Sequence, residues 1–561
     1  MNSTSSLSFF FSCCIWILFS CKESKVHIDL DTNNTMPSIG IESTDSLSIA
    51  DYFLLHPQDS FYKSLTFQFY KQRNFLLGWS NKGIFIPQAV MLLNNIDNAN
   101  EDGLPVERYN NKALWDLYLR ASDTSPGDFV EQAKLREDLD IALTIAFFNY
   151  SKDIWQGIIC PKEASWFTDT KEVDYVNTLS KILNEENSSH PFESHKPLNK
   201  EYKALKNALM KYRTIAKEGG WPTIDWGETK KIMKGDTSSL IPAIRKTLFV
   251  MGDLPVYSVD SVYDNALEEA VKAFQKRHGL EEDGVIADKT IQAMSVTVSD
   301  RIKQIVINME RWRWIPAIEK GAYLLINIPE YALHVYNEDT LEWSMDIIVG
   351  KSATSTPIFN GNLQYVVFNP SWSVPNNIAV NEILPLQKKD NTYLQSHGLK
   401  MYFGYYSTVE VNPNEIEWEK LNEKNFNYRF VQPPGKDNPL GKVKFLFPNS
   451  YEVYLHDTNT QYLFERSERG FSHGCVRLSE PMKLAEYVLQ RDSLWNEKEI
   501  KNLLDKGEEK YLKLKTPLPV YLVYFTTWQD QNGTLHFRED IYGHDKNLGE
   551  TLFSLSNQQP L

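Results

Sequence analysis

Cysteine is scarce: five residues in 561, too few for a disulfide scaffold. Positive charge is in deficit, with 59 Lys and Arg against 73 Asp and Glu, a formal net charge of −14. Such a chain lacks the basic face that broad nucleic-acid binding requires, so no nucleic-acid partner is expected. The 11 histidines are scattered, with no His-x-x-x-His and no paired-cysteine spacing, and no metal site is expected. No Gly-rich loop follows a strand pattern and no Gly-x-Ser-x-Gly elbow occurs, which removes phosphate-loop and serine-hydrolase chemistry. No cofactor is expected. Beyond residue 20 no apolar run approaches the ~18 residues that signal a membrane span. What is present is ordinary for a folded protein: 42% hydrophobic and 24% charged residues. At ~150 residues per domain the length predicts three or four domains.

The first segment reads as an address. Residues Leu7 to Ser20 are almost continuously apolar and stop at Cys21, before Lys22-Glu23-Ser24-Lys25. The run is too short to cross a bilayer but suits a signal-peptide core. Leu18-Phe19-Ser20-Cys21 resembles a bacterial lipoprotein signal, which implies lipidation at Cys21, a signal peptide over 1–20 and a membrane anchor outside the cytoplasm. Residues 21–48, rich in Ser, Thr, Asn and Asp, read as a flexible tether.

Residues 49–240 carry helical spacing, as in Leu135, Leu139, Ala142 and Ala146, and no chemical constellation. They are expected to form a helical scaffold, with Cys160 a buried structural thiol. Over 241–300, Leu267, Ala270, Val271 and Phe274 form a helical stripe that Gly279 is placed to end. With Gln275, Leu280, Asp283-Gly284 and Thr290, this stretch resembles a three-helix peptidoglycan-binding module. Most of these residues serve packing in any such bundle. Residues 301–320 read as a linker helix, with Ile302, Ile305, Val306 and Met309 on one face. From residue 321 the pattern turns to short strands, which predict a mostly antiparallel sandwich or barrel.

One segment concentrates the chemistry. A β-rich run from Tyr451 ends at His456, nineteen residues before Cys475, which sits in Ser472-His473-Gly474-Cys475-Val476-Arg477. Thiolate attack on an acyl carbon needs a sulfur and a nearby imidazole to take its proton. A protonated histidine beside the sulfur would lower the thiol pKa and favour an ion pair. Gly474 lets backbone approach a substrate, with N–H groups near Gly474 and Cys475 aimed at an oxyanion. Asp457 follows His456, but successive strand residues point to opposite faces, so it is not expected to orient the ring.

The spacing and motif resemble the L,D-transpeptidases. Asn369-Pro370-Ser371-Trp372, Gln432-Pro433-Pro434-Gly435 and Asn438-Pro439-Leu440-Gly441 resemble the large multidomain branch of that family. The resemblance implies Cys475 as nucleophile and His456 as general acid and base, with a backbone carbonyl orienting the imidazole. Ser472, His473, Gly474 and Arg477 fall on substrate-binding or oxyanion positions. It also implies peptidoglycan stem peptides as donor and acceptor, and 3–3 cross-links made through a cysteine thioester in the periplasm-facing envelope. Two alternatives stay open: an L,D-carboxypeptidase that trims tetrapeptide stems, and a non-catalytic peptidoglycan-binding envelope lipoprotein. The expected architecture is multidomain α+β: scaffold, three-helix module, linker helix, and a mostly antiparallel β-sandwich catalytic domain over 321–528. A capping insert over 384–440 and a C-terminal tail over 529–561 complete it.

Overall fold

The structure is a computed structural model that describes residues 43–123, 125, 129–168, 171–185, 188–195, 198–316, 321–404, 406–491 and 495–554. Cys21, the apolar run before it and the tether up to residue 42 lie outside the described residues. Among the described residues no helix is long and apolar enough to cross a membrane.

The chain is multidomain, with four apolar cores among the described residues. The scaffold wraps Phe129–Gln156, whose residues 139–148 are all buried. A helix apolar on every side must be central. Its one buried carboxylate in that stretch, Asp140, accepts hydrogen bonds from the Tyr70 hydroxyl at 2.7 Å and the Gly78 and Trp79 amides at 2.9 and 2.8 Å. A buried charge is tolerated only when so saturated. Cys160 is exposed, contrary to the expectation. It lies on the loop that leads into the turn Pro161–Ala164, after Ile159, whose amide is fixed by Glu310.

The module consists of Ile241–Met251, Asn265–Arg277 and Asp288–Ser295. Its motif residues are knotted together. The Gln275 carboxamide donates to Asp283, the Val285 carbonyl and Thr290, and accepts from the Gly284 amide. Gly279 takes the left-handed turn (φ +68°) that ends its helix. The linker helix Val298–Trp314 is buried over its last ten residues. Arg313 pairs with Glu310 at 2.6 Å and donates to the Asp102 carbonyl and the Tyr202 hydroxyl of the scaffold.

Eight strands of the region from residue 321 onward close a ring: β1 Ala322–Asn327, β2 Ala332–Asn337, β3 Thr340–Gly350, β4 Ile358–Phe368, β5 Val443–Leu446, β6 Leu455–His456, β7 Val476–Leu478 and β8 Lys510–Val523. The order is β5-β6-β7-β3-β2-β1-β8-β4, and β4 pairs back to β5. Six of these eight pairings are antiparallel; β6–β7 and β1–β8 are parallel. Between β4 and β5 the insert builds its own four-stranded sheet and core around Phe430, Met401 and Trp418. It begins earlier than its sequence suggests, because Trp372–Ser373 is an edge strand of that sheet. The stretch read as a tail is structured through residue 554. Thr527–Gln529 pairs with Leu535–Phe537, and His544–Ser554 is a helix whose Asp545 meets Arg311 at 2.6 Å.

Candidate active site

The site starts from a shortened strand. The alternation of Tyr451 to His456 predicts a longer β6, but Asn449 intercepts it. Its side-chain oxygen accepts from the Tyr451 and Val453 amides, and its nitrogen donates to the Phe447 and Val453 carbonyls. Asparagine side chains compete with ladders in this way. Glu452 inside the turn takes φ +57°. Only Leu455 and His456 remain as strand, paired in parallel with Val476 and Arg477. The Val476 amide also bonds the Tyr454 carbonyl. With period-two alternation, Tyr454 and His456 on one strand share a face with Cys475 and Arg477 on the next.

All four side chains line one cleft of about 290 Å³, with Trp372 and Glu452 among the remaining wall. Cys475 Sγ hydrogen-bonds the Glu452 carbonyl at 3.9 Å, and the Tyr454 hydroxyl stands against the sulfur. Sγ and the His456 ring face the same cavity without a hydrogen bond between them. Burial raises the Cys475 thiol pKa, partly offset by Tyr454 and Arg477. Burial, the Arg477 cation and Lys444 hold His456 down to about 3, against the pull of the Asp457 carbonyl. The resting pair is therefore a neutral thiol and a neutral imidazole, not the ion pair that the motif suggests. Desolvation disfavours both charged forms.

His456 Nδ1 lies 2.5 Å from the Asp457 carbonyl. A carbonyl only accepts, so Nδ1 carries the hydrogen and Nε2 keeps the lone pair. The Asp457 carboxylate turns away, accepting from the Lys442 and Thr458 amides at 2.7 Å each. Ser472 ties the Cys475 loop: Oγ donates to the Cys475 carbonyl at 2.6 Å and accepts from the Gly474 amide at 3.1 Å. Gly474, at φ +113°, thus spends its amide inside the loop. The Cys475 amide has no partner among the described residues.

Sequence reasoning missed the braces. Thr356 Oγ1 donates to the Gly474 carbonyl at 2.8 Å and accepts from the Gly350 amide at 2.9 Å. Thr354 donates to the Ser472 carbonyl, and Tyr542 to the Gly350 carbonyl. No local pattern marks these residues. Tyr454 was within reach, two residues before His456 on the same face.

The comparisons with known proteins fall on the same segments. Residues 321–504 match the L,D-transpeptidase catalytic domain, 64–209 a scaffold domain, and 239–294 the provisionally named peptidoglycan binding domain. Residues 321–504 are an L,D-transpeptidase catalytic domain. A Haemophilus influenzae protein provisionally named L,D-transpeptidase is 33% identical over 274 residues, 48% of this chain and 54% of that one. The chain thus spans about half the length of that curated relative. The N-acetylmuramoyl-L-alanine amidase CwlL of Bacillus licheniformis is 32% identical over 91 residues, 16% of this chain and 25% of that one. A crystal structure of L,D-transpeptidase (Yku) from Stackebrandtia nassauensis covers 56% of this chain and 99% of that chain at 14% identity, with a TM-score of 0.21.

In the L,D-transpeptidase domain the insert between β4 and β5 is pinned to the Cys475 loop. His473 Nε2 meets Glu382 Oε1 at 2.7 Å. Glu382 sits in the π-turn Ala379–Ile383, a register change of the sort that re-aims side chains at functional sites. Arg477 donates to Thr460 Oγ1 at 3.1 Å, and its buried Nε has no partner. No carboxylate pairs with it among the described residues. A larger cavity of about 970 Å³ lies between the three-helix module and the His544–Ser554 helix, lined by His278, Arg301 and Phe553. It is separate from the cysteine cleft.

Proposed function

We propose that the chain is a peptidoglycan L,D-transpeptidase that works through a Cys475 thioester. The observation that carries this reading is the His456 Nδ1–Asp457 carbonyl bond, which leaves the Nε2 lone pair on the cleft that holds the sulfur. As sulfur attacks the carbonyl carbon of the third residue in a tetrapeptide stem, Nε2 takes the thiol proton and the S–C bond forms. The Cys475 amide donates to the oxyanion. Collapse breaks the C–N bond to the terminal D-Ala, and the imidazolium gives its proton to the departing amine. A side-chain amine of a neighbouring stem then attacks the thioester, the C–S bond breaks, and a 3–3 cross-link results. Arg477, with an unspent buried Nε, suits a stem carboxylate. The matches to the catalytic and peptidoglycan binding domains support this substrate class. The same reading puts the chain in the cell envelope, anchored through Cys21.

The test is the intact mass of the purified chain after incubation with a tetrapeptide stem. A tripeptidyl adduct on Cys475 is expected, lost in Cys475→Ala and slowed by about 10² or more in His456→Ala. No adduct on the parent chain would sink the proposal. Radiolabelled palmitate incorporation that vanishes in Cys21→Ser checks the anchor.

A further inference from the structure

The cleft holds an acid that the acylation step does not use. Among the described residues, Glu452 is the only acidic residue on its wall. The carboxylate makes no hydrogen bond or ion pair among the described residues, and the residue is exposed. It nonetheless bears on the reacting centre. Its charge pushes up both the Cys475 thiol and the Tyr454 hydroxyl, and its own carbonyl is the acceptor 3.9 Å from Sγ.

The backbone makes the choice of residue informative. Glu452 occupies the left-handed region at φ +57°, a conformation that is strained for a non-glycine L-residue. Asn449 enforces that conformation through its four bonds around the turn. Gly or Asn would fit the position with less strain. A long acidic side chain contributes nothing to the turn, and strain retained beside a reactive group points to a role in the reaction.

Charge narrows that role. His473 Nε2 and Glu382 Oε1, 2.7 Å apart where the insert meets the cleft, satisfy each other. Arg477 supplies the cation suited to an anionic donor. A free carboxylate repels an anionic stem and attracts a cation, and the cation this chemistry requires is the ammonium of an acyl acceptor.

Resting on the reading above, we propose that Glu452 recognises the ammonium group of the acceptor amine and so favours aminolysis of the Cys475 thioester over hydrolysis. The ammonium binds against the Glu452 carboxylate beside the sulfur. One proton leaves through the carboxylate to water, and the freed amine attacks the thioester carbonyl. The N–C bond forms, the C–S bond breaks, and the second proton passes from nitrogen through His456 Nε2 to the departing sulfur.

The experiment uses the full chain with a tetrapeptide donor and Nα-acetyl-lysine amide as acceptor. Acyl-enzyme formation is followed by mass without acceptor, and the amide-to-hydrolysis product ratio over graded acceptor. In Glu452→Gln and Glu452→Asn the acceptor KM is expected to rise about fivefold, the worth of a half-screened ion pair. The donor acylation rate, read without acceptor, should shift by less than the acceptor KM does, and far less than on losing a catalytic base. Glu452→Asp should recover part of the acceptor affinity, and Asn, which suits the turn, separates loss of charge from loss of fold. An unchanged acceptor KM in both Gln and Asn overturns the assignment. So does an equal fall in acylation and transfer, which would mean that the side chain only holds the loop. Absence of any Cys475 adduct in the parent chain is a different failure, that of the transpeptidase reading itself.

Discussion

His456 can be a base only while it is neutral, and its surroundings keep it so. Its pKa is depressed to about 3, so the imidazole stays unprotonated through the whole neutral and mildly acid range. The thiol pKa is raised, so the sulfur stays protonated there. Donor acylation is expected to run level from about pH 5 to pH 8, with no step at the ~6.5 of an ordinary histidine. A stopped-flow or mass-based pH profile checks this; an acid limb near 6.5 would contradict the buried ring. Because a carbonyl orients the ring, Asp457→Asn should slow acylation by less than about tenfold, whereas a carboxylate that orients a histidine is worth about 10⁴. Its cost should fall on stability, about 1–2 kcal/mol by denaturant titration, since the asparagine nitrogen cannot accept and one of the two backbone amides loses its partner. That Cys475 and His456 share a cleft and that the Asp457 carboxylate turns away were legible in the sequence, because motif spacing and strand alternation are local rules. The protonation of the pair was not, since it depends on the burial of both groups and on Arg477. The spent Gly474 amide was hidden for a similar reason: only the folded loop shows that Ser472 has taken it.

At the scale of elements, the Cys475 loop is held by a neighbour more than a hundred residues away in the chain. The turn after β3 places Thr356 between the Gly350 amide and the Gly474 carbonyl. Thr356→Val keeps the shape but strands two buried backbone groups, at about 1–3 kcal/mol each. The expected outcome is a Tm several degrees lower and slower acylation, both largely restored by Thr356→Ser; unchanged thermal unfolding would refute the bracing. The hydrophobic pattern revealed strands β1 to β3, the linker helix and the three-helix module, since each repeats its period over enough residues. It overstated β6, where one asparagine outcompetes the ladder. It also misplaced the start of the insert, because Trp372–Ser373 is a strand only through its pairing with Val431 and Gln432. Cys160 was misread because apolar neighbours imply burial, while the turn opened by Pro161 carries it outward.

On the scale of the whole molecule, the linker helix joins the scaffold to the barrel through charges that have no access to water. Glu310 and Arg313 are both fully buried, and Arg313 also serves the Asp102 carbonyl and Tyr202. Arg313→Ala leaves the buried Glu310 without its cation, a loss of about 3–5 kcal/mol. Limited proteolysis should then cut between scaffold and barrel before either unit melts, and equally resistant parent and variant chains would count against that coupling. The ring of strands carries a further consequence for the order in which the protein can come to life. β8 closes the barrel by lying between β1 and β4, with Val520 beside Leu324 and Leu522 beside Phe359. Its residues are translated after the whole insert, after His456 and after Cys475. Pairings this distant form late, and they cannot form before both partners exist. While the ribosome is still at work, the sulfur has no finished barrel around it. The cleft is complete only once the last strand of its ring has been delivered.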